Sequence, residues 1–128
     1  MLDEPTSGLD SFRATGICQI LHKLAREKGK TIISAIHQPS SQSFEYFDKL
    51  ILMSEGNIVF QGTAMRSQRY LTKLGFEFKP FRNPTDEFMK ILAVTYPKSA
   101  EEVKKLKYLI EKYDEKLKPK VLKQMEEL

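Results

Sequence analysis

The residues best equipped for chemistry in this 128-residue chain lie near its start. Asp3 and Glu4 are adjacent carboxylates behind an apolar residue, Leu2, and ahead of a turn-forming stretch, Pro5-Thr6-Ser7-Gly8. Side chains along a strand alternate between faces. Where a strand ends, the chain leaves that geometry, and two neighbouring carboxylates can approach one site. Carboxylate oxygens are the donors that a hard cation such as Mg²⁺ takes, and a carboxylate can accept a proton from an attacking water. Alone, an Asp-Glu pair is ordinarily a solvated turn. His37 ends a second apolar run and is followed by Gln38-Pro39-Ser40-Ser41. A histidine at a strand end is more often structural than reactive, so its context must decide. His22 sits among polar neighbours inside a helical stretch, and no role is assigned to it.

The elements that must hold these residues are legible from periodicity and caps. Residues 11–28 read as a helix, with Ile17, Ile20, Leu21 and Leu24 on one face, Asp10 or Ser11 as its N-cap and Gly29 as its C-terminal glycine cap. Residues 31–36 are short, β-rich and almost wholly apolar, as expected of a strand covered on both faces in a parallel sheet. A short helix is expected at 40–47. Residues 50–53 and 58–60, split by Ser54-Glu55-Gly56-Asn57, predict a β-hairpin. Helices follow at 64–74 and, from Asn83-Pro84, through Leu92. In the tail, Ser99 and Glu102 form a candidate capping box ahead of an amphipathic stripe, Val103, Leu106, Ile110, Tyr113 and Leu117, which Pro119 interrupts.

Composition narrows the classes. Hydrophobic residues make up 41% and charged residues 30%, as in a globular segment. No apolar run approaches the roughly 20 residues that cross a bilayer. The first ten residues have neither the basic nor the apolar region of a signal peptide, so none is expected. A single cysteine, Cys18, excludes an internal disulfide framework and a cysteine zinc cluster. The net charge of +4 comes from interspersed acids and bases. A nucleic-acid partner would call for a basic stripe interleaved with aromatics, and none is expected here. The lysine-rich tail carries glutamates too and reads as a solvated helix face.

The whole string Leu2-Asp3-Glu4-Pro5-Thr6-Ser7-Gly8-Leu9-Asp10 resembles the Walker B and D-loop sequence of ABC ATPases. One helix and one strand later, Ile36-His37-Gln38-Pro39-Ser40-Ser41 resembles their switch loop, in the form used by the G (White-type) subfamily. Residues 47–62 resemble the strand pair after that loop. Asn83-Pro84-Thr85-Asp86-Glu87-Phe88 resembles the segment before the membrane region of such transporters. The resemblance implies an α/β chain: part of a P-loop NTPase fold of the ABC ATPase kind, with parallel strands, a C-terminal β-hairpin and helices, plus an amphipathic helical tail. Residues 1–93 would be the C-terminal part of the nucleotide-binding domain, and 94–128 a charged helical linker.

Carried over position by position, the resemblance implies that Asp3 binds Mg²⁺, Glu4 is the catalytic base and His37 contacts the γ-phosphate of ATP, with Gln38 assisting the switch loop. Ser7, Gly8, Leu9 and Asp10 would form a D-loop facing a second nucleotide-binding domain. The parent protein would be an ATPase on the cytoplasmic face of a membrane, coupled to a transmembrane domain that exports lipids or other small molecules. The chain contains neither GxxxxGK[ST] nor an LSGGQ-like stretch. Without the backbone cradle of the first, weak ATP binding and no turnover are expected of these residues alone. Apolar faces around Ile20 and Ile33 should be partly uncovered. The alternative is a non-catalytic module that docks on a complete ABC subunit through the D-loop and the amphipathic tail.

Overall fold

The computed structural model describes residues 1–128. The chain gathers into two units, Met1–Phe47 with Lys79–Glu87, and Asp48–Phe78 with Phe88–Leu128.

The first unit is a strand–helix–strand unit. Strand β1 (Leu2–Asp3) pairs in parallel with β2 (Ser34–Ala35), and helix α1 (Ser11–Lys28) connects them. The ladder rests on Leu2 N–H to the Ile33 carbonyl, 2.8 Å, and Glu4 N–H to the Ala35 carbonyl, 2.9 Å. Helix α1 starts where the Asp10 carboxylate accepts the Arg13 N–H at 2.8 Å. It ends at Gly29 in the left-handed region, φ 59°, which a residue with a Cβ adopts only at a cost. Ser40 caps the short helix α2 (Ser41–Phe44), which packs on α1.

The strand expected at 31–36 shrinks to two residues, and it is not covered on both faces. Ile33 is 59% exposed, and on α1 Ile20 is 63% exposed. β1 is the only strand beside β2, so the apolar side chains have little to pack on. This is the uncovering expected from the sequence.

The second unit is built on a hairpin. Strands β3 (Lys49–Ser54) and β4 (Asn57–Thr63) run antiparallel, from the pair Lys49–Thr63 to the pair Ser54–Asn57, with an irregularity at Leu52/Met53. The connecting residues Glu55 (φ 50°) and Gly56 (φ 76°) are both left-handed, the turn form that matches strand twist. Helix α3 (Ala64–Lys73) follows directly. Helix α4 (Pro84–Leu92) begins in the first unit and continues into the second. Helices α5 (Ala100–Lys116) and α6 (Lys118–Glu126) meet near Pro119.

Neighbouring strand residues point to opposite faces, and Phe60 and Gln61, in the regular part of the ladder, meet different helices. Both faces of β4 are therefore covered. Phe60 meets the Tyr70 ring of α3, centroids 5.5 Å apart. On the other face, the Tyr113 hydroxyl of α5 donates to Gln61 Oε1 at 3.2 Å, and Leu109 is completely buried. Of the tail's stripe, Tyr113 is thus buried against the tail's own hairpin and Leu109, which the stripe did not include, is buried too, whereas Val103 stays half-exposed. The capping box forms as expected: Ser99 Oγ accepts the Glu102 N–H, and the Glu102 carboxylate accepts the Ser99 N–H.

The architecture is mixed helix and sheet, with one parallel and one antiparallel strand pair. Two parallel strands are fewer than the sheet of a P-loop NTPase contains.

Candidate functional site

Asp3 ends β1 beside Ala35 of β2, so Glu4 and, two residues beyond Ala35, His37 follow the same C-terminal end of one parallel pair. Adjacent strands lie about 5 Å apart. The backbone thus places residues Asp3, Glu4 and His37 at one end of the strand–helix–strand unit. All three residues are exposed.

Directly after β1, and three residues after β2, a non-glycine residue stands in the left-handed region: Glu4 at φ 43° and Gln38 at φ 45°. Such conformations cost roughly 1–3 kcal/mol each and gather at functional sites. After Glu4 the chain tightens through Ser7 N–H to the Glu4 carbonyl (3.0 Å) and Leu9 N–H to the Thr6 carbonyl (3.3 Å), with Gly8 at φ 73°. Asp10, assigned by resemblance to the D-loop, uses its carboxylate as the cap of α1. Its ion pair with Arg13 is exposed and contributes little.

A cleft of about 220 Å³ opens between the two loops. Thr6 and Leu9 from the loop after β1, His37 and Gln38 from the loop after β2, and Cys18 and Ser43 are among the residues that line it. Asp3, Glu4, Ser7, Gly8 and Asp10 do not line it. Burial pushes the Cys18 thiol up, against a smaller lowering from its hydrogen bond with Ser43, so it stays a protonated packing group. His22 has a structural explanation: its Nδ1 lies 3.0 Å from the Tyr46 carbonyl, with the two rings in contact.

Two features are not visible in the sequence. Thr15 of α1 meets Ser40 and Ser43 in a hydroxyl cluster, at 3.2 and 3.0 Å. Asn83 and Thr85 both donate to the carbonyl of Pro39, at 3.0 and 2.5 Å. The Asn-Pro-Thr string signals a helix start, but which distant carbonyl it meets is a tertiary fact.

No group of three or more His, Cys, Asp and Glu side chains converges to form a metal cage. Mg²⁺ takes only one or two carboxylates from a protein when phosphates and water supply the rest. Asp3, exposed at the end of β1, would be one such carboxylate.

Residues 37–126 match the family described as ABC-2 type transporter. The chain is 49% identical to Protein white of Drosophila melanogaster over 92 residues, which are 72% of this chain and 13% of that protein. It is 44% identical to ABC transporter G family member 11 of Arabidopsis thaliana over 97 residues, 76% of this chain and 14% of that protein. Against the broad substrate specificity ATP-binding cassette transporter ABCG2 of Mus musculus it is 40% identical over 91 residues, 71% and 14% of the two chains. The chain belongs to the ABC-2 type transporter family, with homology to its White-type G-subfamily members, and spans about one-seventh of their length.

The matching family model is that of a membrane region, not of a nucleotide-binding domain, and it begins at His37. Asp3 and Glu4 lie outside it. No helix of the structure is long and apolar enough to cross a membrane. Membership in a membrane-transporter family is therefore established, whereas the ATP-binding role is a separate, finer reading.

Proposed function

We propose that this chain is the C-terminal part of the nucleotide-binding domain of a G-type ABC transporter, on the cytoplasmic face of its membrane. The observation that carries this reading is the parallel β1–β2 pair, with Glu4 directly and His37 two residues beyond its C-terminal end. The whole LDEPTSGLD string and the identity to White-type transporters support it. Mg²⁺ and ATP, when bound, would supply the phosphate charge and its partial neutralisation.

Asp3 would hold the cation, directly or through water. Glu4, held in a left-handed turn, would take the proton of the attacking water. His37, at the neighbouring strand end, would hydrogen-bond the terminal phosphate and offset its developing charge. The Ser7–Asp10 turn would face a second nucleotide-binding domain, and a transmembrane domain would receive the resulting motion. The sequence holds no glycine-rich phosphate loop, so the donors that cradle the phosphates must come from other parts of the transporter.

The test has two arms. In a transporter containing this segment, Glu4→Gln should lower ATP turnover at least about 100-fold while ATP binding persists. The 128-residue chain alone should not turn over MgATP. Undiminished turnover after both Glu4 and His37 are neutralised, or hydrolysis by the chain alone that Glu4→Gln abolishes, defeats the proposal.

A second reading, a non-catalytic module that docks on a complete ABC subunit, draws on the exposed apolar side chains of the first unit: Phe12, Ile20 and Ile33. In the tail, Leu109 and Tyr113 are already buried, which leaves Val103, Leu122 and Met125 exposed. Absence of a complex with a full nucleotide-binding domain at high micromolar concentration would exclude it.

A further inference from the structure

We infer that Asn83 and Thr85 are positioning residues that lock the switch loop and thereby present His37 at the strand end. The inference deepens the proposed function and depends on it only for the consequence in catalysis.

The geometry converges on one atom. Pro39 has no backbone N–H, so the backbone of this residue can be anchored by hydrogen bonding only through its carbonyl. That carbonyl receives Asn83 Nδ2 at 3.0 Å and Thr85 Oγ1 at 2.5 Å, which occupies both of its lone pairs. The proline ring already restrains its φ. With ring and carbonyl both held, the peptide plane after Pro39 has little freedom left.

The donors are themselves held. Asn83 Oδ1 accepts the Thr85 N–H at 3.2 Å and lies 2.9 Å from the Thr85 hydroxyl. That hydroxyl has one proton and two acceptors within reach, with the Pro39 carbonyl the nearer. Thr85 is buried, which strengthens the bond by excluding competing water. One residue further on, Ser40 is fastened from the other direction: its Oγ accepts the Ser43 N–H at 3.1 Å and contacts Thr15 Oγ1 at 3.2 Å.

The loop His37-Gln38-Pro39-Ser40 is therefore tied at its downstream end, while β2 holds its upstream end. Between the ties sits Gln38 in the left-handed region, a conformation that relaxes unless its surroundings over-determine it. Removing one tie should let Gln38 relax and His37 swing. The imidazole is exposed, so its direction depends on the backbone that carries it.

The test is NMR on the 128-residue chain, which has two histidines and hence two sets of ring signals. Thr85→Val keeps the shape and removes the donor; Thr85→Ser keeps the donor. In Thr85→Val the His37 ring signals should move toward their free-peptide positions, and the Ser43 and Phe44 amides should exchange about fivefold to tenfold faster. His22 should stay put. Thr85→Ser should restore all of these, and Asn83→Ala should move His37 in the same direction. Unmoved His37 signals in Thr85→Val and Asn83→Ala overturn the inference. So does a joint loss of His22 and His37 dispersion, which marks general unfolding.

In a transporter carrying the segment, Thr85→Val should lower kcat for ATP about tenfold with KM within twofold, and Thr85→Ser should recover it. Normal turnover in His37→Ala sinks the catalytic reading of His37, and the ring signals then decide by themselves whether the clamp exists.

Discussion

Truncating Leu109 to alanine tests the docking of the tail helix on the hairpin. Leu109 is completely buried in α5, whereas Val103 on the same helix is 50% exposed. The truncation removes a Leu side chain beyond Cβ, three carbon atoms at roughly 0.8 kcal/mol each, or about 2.4 kcal/mol of transfer free energy. The cavity left between α5 and β4 adds to this, and Leu→Ala in cores costs about 2–5 kcal/mol. Helix propensity offsets little, because leucine and alanine are both good helix formers. For Val103→Ala the half-exposed methyl groups cost under about 1 kcal/mol, and a gain of roughly 0.5 kcal/mol in propensity nearly cancels it. Urea unfolding followed by near-ultraviolet circular dichroism is a suitable assay. The chain has no tryptophan and five tyrosines, of which only Tyr46 lies outside the second unit. With a urea slope of about 1–3 kcal/mol/M, Leu109→Ala should lower the midpoint by roughly 1–2 M and Val103→Ala by less than about 0.5 M. Equal shifts for the two variants, or none for Leu109→Ala, would show that the tail does not pack on β4.

Three other perturbations have definite signs. The Ser99 and Thr95 backbone N–H groups hold the Glu102 carboxyl at about 2, well below the usual carboxylate range near 4.3. Its stabilisation of the α5 start is present above roughly pH 4.3 and is lost as pH falls toward 2. Glu102→Gln should remove that portion of an acid titration followed by circular dichroism; an unchanged titration refutes it. Tyr70 has a buried hydroxyl with no hydrogen-bond partner, and burial pushes its phenol up to about 12. Tyr70→Phe should therefore raise the urea midpoint, by roughly 1 kcal/mol in stability, and a lower midpoint would contradict the reasoning. Glu4→Gly relieves a left-handed glutamate at a strand end. The relief of about 1–2 kcal/mol exceeds the roughly 0.5–1 kcal/mol of added unfolded-state freedom. The variant should be at least as stable as the parent chain by far-ultraviolet thermal melting, and a clear loss of stability would remove the strain argument.

Local chemistry made much of this molecule legible in advance. Asp10 and Gly29 bound α1, Ser99 and Glu102 build the capping box, and Glu55-Gly56 turn the hairpin. Each of these depends on groups a few residues apart, so the sequence carries the whole interaction. The placement of the candidate residues was legible for the same reason: Asp3-Glu4 and His37 each follow an apolar stretch.

Tertiary structure decided the rest. Residues 31–36 have the composition of a buried strand, but strand length depends on neighbours, and with β1 as the only one the strand stops at two residues. The tail stripe announced that it would dock, and only the folded chain shows β4 as its partner, because an amphipathic pattern specifies a face without specifying what it meets. Likewise, Asn83 and Thr85 look like the start of any helix. Their grip on Pro39, more than forty positions away in sequence, exists because the fold brings that carbonyl within hydrogen-bonding distance.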